Sequence, residues 1–224
     1  VFLQEDKNCF KIGDGVTTLK NLKWYIDRNY GDISVAAYSG IFGKNTVTGK
    51  DVTHSIFGHS YAISTINVTN ELRGSFGFVP EPMIIEQLGI SITAHNTSGG
   101  SAQIELAIYQ PNFQTRQNIL IAKTNLNPII VGSIFFPLQT TINVSSGVYF
   151  FALRYVVPIG SSFQFRIINQ FNQIGYVLDN SYVNNSYLLL SSQTSIPPTC
   201  VFPNISNVGC YYLLISGQRI LPTI

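Results

Sequence analysis

Charge is scarce in this sequence. Thirteen basic and eleven acidic residues are spread over 224 positions, 11% of the chain, where an ordinary soluble domain carries about a quarter. The net charge is only +2, and no cationic cluster is denser than Lys20, Lys23 and Arg28, which argues against a basic patch for nucleic acid. Long apolar runs are missing as well. Nothing approaches the roughly 18 uninterrupted apolar residues of a membrane span, so a transmembrane helix is excluded and no membrane insertion is expected. No Met opens the chain and no signal-peptide pattern is visible. Val1 is therefore expected to begin a processed protein or, the reading favoured below, a fragment of a longer one.

Catalytic and metal-binding signatures are also missing. There is no Gly-x-Ser-x-Gly elbow, phosphate loop or His-Glu-x-x-His, so neither an enzyme nor a cofactor is expected. His54 and His59 are five apart and His95 is remote, which is not ligand spacing for a metal. Cys9, Cys200 and Cys210 cannot all pair within one chain. Cys200 and Cys210 flank a loop containing Pro, Asn and Gly, and either close a small disulfide in an oxidising compartment or stay isolated buried thiols. From Glu71 to the C-terminus the only acids are Glu71, Glu81, Glu86, Glu105 and Asp179. Alternation puts Glu105 on the outward face of a strand, and Glu81 sits between two prolines, so most of these are expected as solvated surface acids rather than the paired carboxylates of a glycan hydrolase.

What the chain does have is Asn, Ser, Thr, Gln and 18 Gly, with 15 Phe, 12 Tyr and one Trp, too many aromatics for a disordered chain. Strand signals dominate from about residue 61. Between residues 88 and 95 every second residue is apolar, which sends Leu88, Ile90, Ile92 and Ala94 to one face and Ser91, Thr93 and His95 to the other. After the turn at 96–100 the alternation resumes, with Ile104, Leu106 and Ile108 inward and Gln103, Glu105 and Tyr109 outward. Further strands are expected at 118–122, 129–136, 140–144, 147–157, 162–168, 174–178, 187–190 and 210–216. Short strands with turns between them predict a sandwich or barrel. The stretch from Gly147 to Leu153 is apolar on both faces and is expected to be covered twice, by a facing sheet and by a partner subunit or the N-terminal segment.

Residues 1–33 differ in kind. They gather charge around a few apolar anchors, allow one short helical turn at 18–23, and are too few to bury a core alone. Within them Phe10-Lys11-Ile12-Gly13-Asp14-Gly15, Thr17, Leu22 and Trp24 resemble a module of tailed-bacteriophage fibres and tropism determinants. Gly13 and Gly15 would supply backbone angles closed to other residues, and Asp14 would bond nearby amides in a tight turn. The resemblance implies a small trimeric β-prism and an upstream strand before Val1. A looser resemblance runs from Tyr61-Ala62-Ile63 through Phe78-Val79-Pro80, Ile90-Ser91-Ile92 and Ala107-Ile108-Tyr109 to the strand from Gly147 to Leu153, and is to a jelly-roll module of phage fibres and tail proteins. It has Phe where that pattern often has Trp.

The organisation expected is thus an all-β chain: a β-prism-like module at 1–33, a linker at 34–60, and an antiparallel jelly-roll sandwich at 61–224, assembled as a homotrimer. The expected function is that of a virion fibre protein, of tail or head, made in the host cytoplasm. It would contact other virion proteins of the capsid or tail and bind a host surface receptor, a glycan or a protein. The alternatives are a capsid decoration protein, a secreted carbohydrate-binding module and a polysaccharide depolymerase. The sequons at Asn67, Asn96, Asn143, Asn184 and Asn204 are expected to stay bare in a bacterial cytoplasm. The candidate receptor-binding residues are Tyr182, Asn185 and Tyr187, because tyrosines among Asn and Ser offer stacking faces and amide hydrogen bonds at low entropy cost. If Gly13 and Gly15 hold positive φ, Gly13→Val or Gly15→Val should lower stability by more than ~1 kcal/mol. Thermal melting of each variant checks this, and unchanged melting in both would refute the turn.

Overall fold

The structure, a computed structural model, describes residues 2–4, 9–11, 24–25, 43–44, 48–54, 61–168, 176–178, 181–183, 186–202, 205–206 and 213–220. No helix occurs among them. The strands in chain order are β1 (Phe2–Gln4), β2 (Cys9–Lys11), β3 (Trp24–Tyr25), β4 (Gly43–Lys44), β5 (Asp51–His54), β6 (Tyr61–Ile66), β7 (Glu71–Val79), β8 (Met83–Asn96), β9 (Gln103–Asn112) and β10 (Gln117–Lys123). They continue with β11 (Asn127–Pro128), β12 (Gly132–Val144), β13 (Gly147–Val156), β14 (Ser162–Ile168), β15 (Tyr176–Leu178), β16 (Ser181–Val183), β17 (Ser186–Leu190), β18 (Thr199–Val201), β19 (Ile205–Ser206) and β20 (Leu214–Arg219).

Two antiparallel sheets form a sandwich. The first runs β18-β10-β9-β13-β7-β17-β19, with β11 added to β9. In the second, β8 pairs with β12 along one edge, while its other edge is shared by β20 and β14, each extended further by β5 and β4 or by β6. Residues 51–54, within the stretch expected as linker, are therefore a strand of the second sheet. β12 leaves its register with β8 between Pro137 and Ile142, and in that bulge Leu138 bridges to Thr124 at the end of β10. One flank of the sandwich is closed by this bridge. It also makes one strand of the two expected at 129–136 and 140–144, because a bulge bends a strand without ending it.

Between the sheets lies a core of aliphatic and aromatic side chains, among them Leu88, Ile90, Ile92, Leu106, Ile108, Phe151, Leu153, Phe163 and Phe165. The alternation read from residues 88–92 is observed, but Ala94 is exposed rather than buried. The pairing of β14 with β8 shifts between Gln164 and Phe165, so that Gln164 faces Ala94 and Phe165 faces Ile92. The extra residue, Thr93, reverses the alternation beyond it. His95 gains from the reversal: its Nε2 accepts the backbone N–H of Ala102 at 3.2 Å.

A second apolar cluster lies on the outer face of the first sheet. It joins Leu72, Phe76, Ala107, Tyr109, Phe150 and Ala152 to Leu188, Ile196, Cys200 and Phe202. Tyr109 and Glu105, expected outward in water, are buried here, at 0% and 5% exposure. The second cover of β13 is thus the chain's own residues 188–202. β17 and β18 stand at or near opposite edges of the first sheet, so residues 191–198 must cross its outer face as a strap. Pro197 and Pro198 suit that course, since a segment crossing the strands has no ladder to donate to.

Close backbone approaches fix the second sheet. At Gly217, where β20 shifts register against β8, an added Cβ would stand 1.9 Å from the carbonyl oxygen of Ile84. No side-chain rotation relieves a clash with backbone. Gly217→Ala should therefore destabilise the sandwich by about 3 kcal/mol or more, measured by urea unfolding. Wild-type stability in that variant would mean the bulge is not formed.

Candidate functional site

The residues proposed from sequence for recognition fall on or beside two short elements. β15 and β16 pair as Tyr176↔Val183, Val177↔Tyr182 and Leu178↔Ser181, which leaves Asp179 and Asn180 to connect them. Among the described residues the hairpin is a two-stranded sheet of its own, paired with neither layer of the sandwich. Tyr182 stands opposite Val177 in it. Tyr187 is instead in β17, opposite Ile205 of β19 at the edge of the first sheet. Asn185 lies outside the described residues. Tyr182 and Tyr187 are thus close in sequence but belong to different sheets. Gly13, Asp14 and Gly15 also lie outside the described residues, in the segment joining β2 to β3, which pair as Phe10↔Tyr25 and Lys11↔Trp24.

The strap covers an arrangement that the alternation did not reveal. Arg154 of β13 stands directly opposite Glu105 of β9, and both side chains are nearly sealed from water at 6% and 7% exposure. Glu105 takes Lys123 Nζ at 2.8 Å on Oε1 and Arg154 Nη1 at 3.4 Å on Oε2. Arg154 then reaches the strap, donating from Nε to the carbonyl of Gln193 at 2.9 Å and from Nη2 to that of Thr194 at 2.5 Å. Tyr109 donates its hydroxyl to the carbonyl of Pro197 at 3.0 Å. The strap's two ends are held by backbone bonds, Gln193 N–H to Asn70 O at 2.7 Å and Leu120 N–H to Pro198 O at 2.9 Å.

These contacts make the buried charges structural. Both Glu105 oxygens are engaged by cations, which ties the carboxylate to the neighbouring strands. The other described carboxylates are paired too: Glu71 with Arg73 and the Tyr155 hydroxyl, Glu86 with Lys50, and Asp51 and Glu81 with Arg219. The expectation of solvated acids is corrected for Glu105, because the strap dries the face on which it lies. Among the described residues no three His, Cys, Asp or Glu side chains stand together as metal ligands.

Cys210 lies outside the described residues, but Cys200, in β18 and clustered with Ile196 and Phe202, is a free, buried thiol, which decides its own state in favour of the isolated thiol. Burial pushes its pKa from 9.0 up to about 12, against a smaller lowering by the hydrogen bond from Asn118. Burial likewise raises that of Tyr109, with Cys200 and Glu105 adding to the effect. A signal for this face was present in the sequence, in the apolar outward positions of 147–153. The identity of the cover was not. No family model matches the chain, and no curated protein matches its sequence.

Arg154→Met removes the link between Glu105 and the strap while keeping an apolar stem. It should cost about 3 kcal/mol or more, as breaking a buried pair does, and should expose the strap to limited proteolysis. Equal stability and an equal cleavage pattern would refute the anchoring role. Cys200 should resist alkylation at pH 8 in the folded chain and react on unfolding, which peptide mass mapping reads. Above the ordinary thiol value of 9.0 the unfolded chain ionises Cys200 while the fold keeps it neutral until about 12, so this group lowers stability as pH rises through that window.

Proposed function

We propose that this chain is a bacteriophage virion fibre protein, of tail or head, that attaches the particle to a glycan on the host surface. The observation that carries the reading is the β15–β16 hairpin, which holds Tyr176 and Tyr182 and, among the described residues, pairs with neither sheet of the β-sandwich. An element that adds no strand to either layer can vary in sequence without disturbing the core, and connections of that kind are where sandwich folds carry recognition. The resemblance of residues 10–15 and 61–157 to fibre modules supports the same reading. In it the sandwich is a jelly roll, residues 1–33 form the β-prism-like base, and three chains complete that base together.

Two measurements test it. Mass photometry of the chain should give a mass of three copies, and a stable monomer at micromolar concentration would overturn the trimer. On a glycan array the wild type should bind a restricted set of sugars, and Tyr182→Ala and Asn185→Ala should each weaken that binding about tenfold with melting unchanged. Binding untouched by both changes would move the receptor site elsewhere. A trimer that binds no glycan and no host cell would favour the capsid-decoration alternative.

A further inference from the structure

The strap crosses an aromatic face but supplies little of the apolar surface that dries it. Ile196 is its one contribution to the outer cluster; Leu188 and Cys200 stay on β17 and β18, and Phe202 follows β18. Ser191, Ser192, Thr194, Ser195 and Pro198 are exposed. What holds the strap is directional: the carbonyls of Gln193 and Thr194 on Arg154, that of Pro197 on the Tyr109 hydroxyl, and one backbone bond near each end. The first end is strained. Ser192 has φ +59° and Asn70, whose carbonyl accepts the Gln193 N–H, has φ +58°. Asn visits this left-handed region with some ease, but Ser pays for its Cβ there. The other end is stiff, because Pro197 and Pro198 each fix φ.

We infer that the strap is a hinged lid: residues 191–198 swing off the first sheet as one unit, turning at Ser192, while both sheets stay folded. Three costs that would hold it shut are small. Opening lets Ser192 return to ordinary backbone angles. It wets one large apolar side chain, Ile196. It also exposes Arg154 and Glu105 without parting them, since they face each other on adjacent strands and Lys123 remains on Glu105; the charges regain the water they lost on burial, which offsets the lost bonds to the strap carbonyls. Unfolding of the sandwich would expose the inter-sheet core as well, and no strap residue enters that core. The opening therefore lies well below global unfolding in free energy. It switches an aromatic face, with Tyr109 and Phe150 edge-to-face at 5.8 Å, between sealed and accessible. The lid is separate from the glycan reading.

Amide hydrogen exchange on the full chain, followed by NMR across low urea concentrations, tests it. The Gln193 amide, bonded to Asn70 O, and the Leu120 amide, bonded to Pro198 O, mark the strap's two ends. They should exchange with one common opening free energy that hardly depends on urea. The Leu106 and Thr124 amides, bonded to Thr124 Oγ1 and Leu106 O, should be far slower and steeply urea-dependent. Ser192→Val should speed exchange at both strap amides about tenfold, and Ser192→Gly should slow both about threefold, because only the backbone angle at an exposed position changes. The inference is overturned if the strap amides share the free energy and urea dependence of Leu106 and Thr124, which would mean the strap opens only on unfolding. It is equally overturned if Gln193 exchanges early and Leu120 does not, which is fraying of one end, or if the valine and glycine variants shift the rates in the same direction or leave them unchanged.

Discussion

The guanidinium of Arg154 joins three parts of the chain that no local rule would bring together. It stands on the central strand of the larger sheet, faces the carboxylate of Glu105 on the next strand, and holds two successive carbonyls of residues 193–194. Arg suits this position because its fork of donors serves one carboxylate and two carbonyls at once. A buried charge left without partners is among the costliest faults a fold can contain, so the crossing of the strap and the burial of Glu105 depend on each other. The apolar contacts of Ile196, Cys200 and Phe202 then complete the cover.

That cover changes the architecture. An ordinary two-layer sandwich leaves its outer faces wet, with polar residues alternating outward. Here the central strand of the larger sheet is apolar on both faces, Phe151 and Leu153 pointing to the inter-sheet core and Phe150 and Ala152 to the strap. Phe76, Phe150, Phe202 and Tyr109 pack edge-to-face beneath it at centroid distances of 5.1–5.8 Å. The chain therefore carries two cores on one sheet, and the low charge of the sequence follows in part, since fewer faces remain to be solvated.

Two features of the described residues lie outside this cover. Among the described residues the hairpin β15–β16 pairs with neither layer, and the loops at one end of the sandwich carry the exposed aliphatic side chains of Ile130, Val131 and Ile159.

The sequence alone was enough to determine the all-β class, the two-layer packing, most strand positions and the inward faces of 88–92 and 104–108, because period-two alternation is a local property of the pleated backbone. It also marked 147–153 as doubly covered, through the apolar residues on both faces. The tertiary structure decided what supplies the second cover, that Glu105 and Tyr109 are dry, that Ala94 is turned out by the bulge at Thr93, and that residues 51–54 belong to the second sheet. Each of these depends on a pairing or crossing between distant segments, such as β17 and β18 at opposite sides of one sheet. Alternation records which side of a strand a residue occupies but carries no information on what arrives to cover that side.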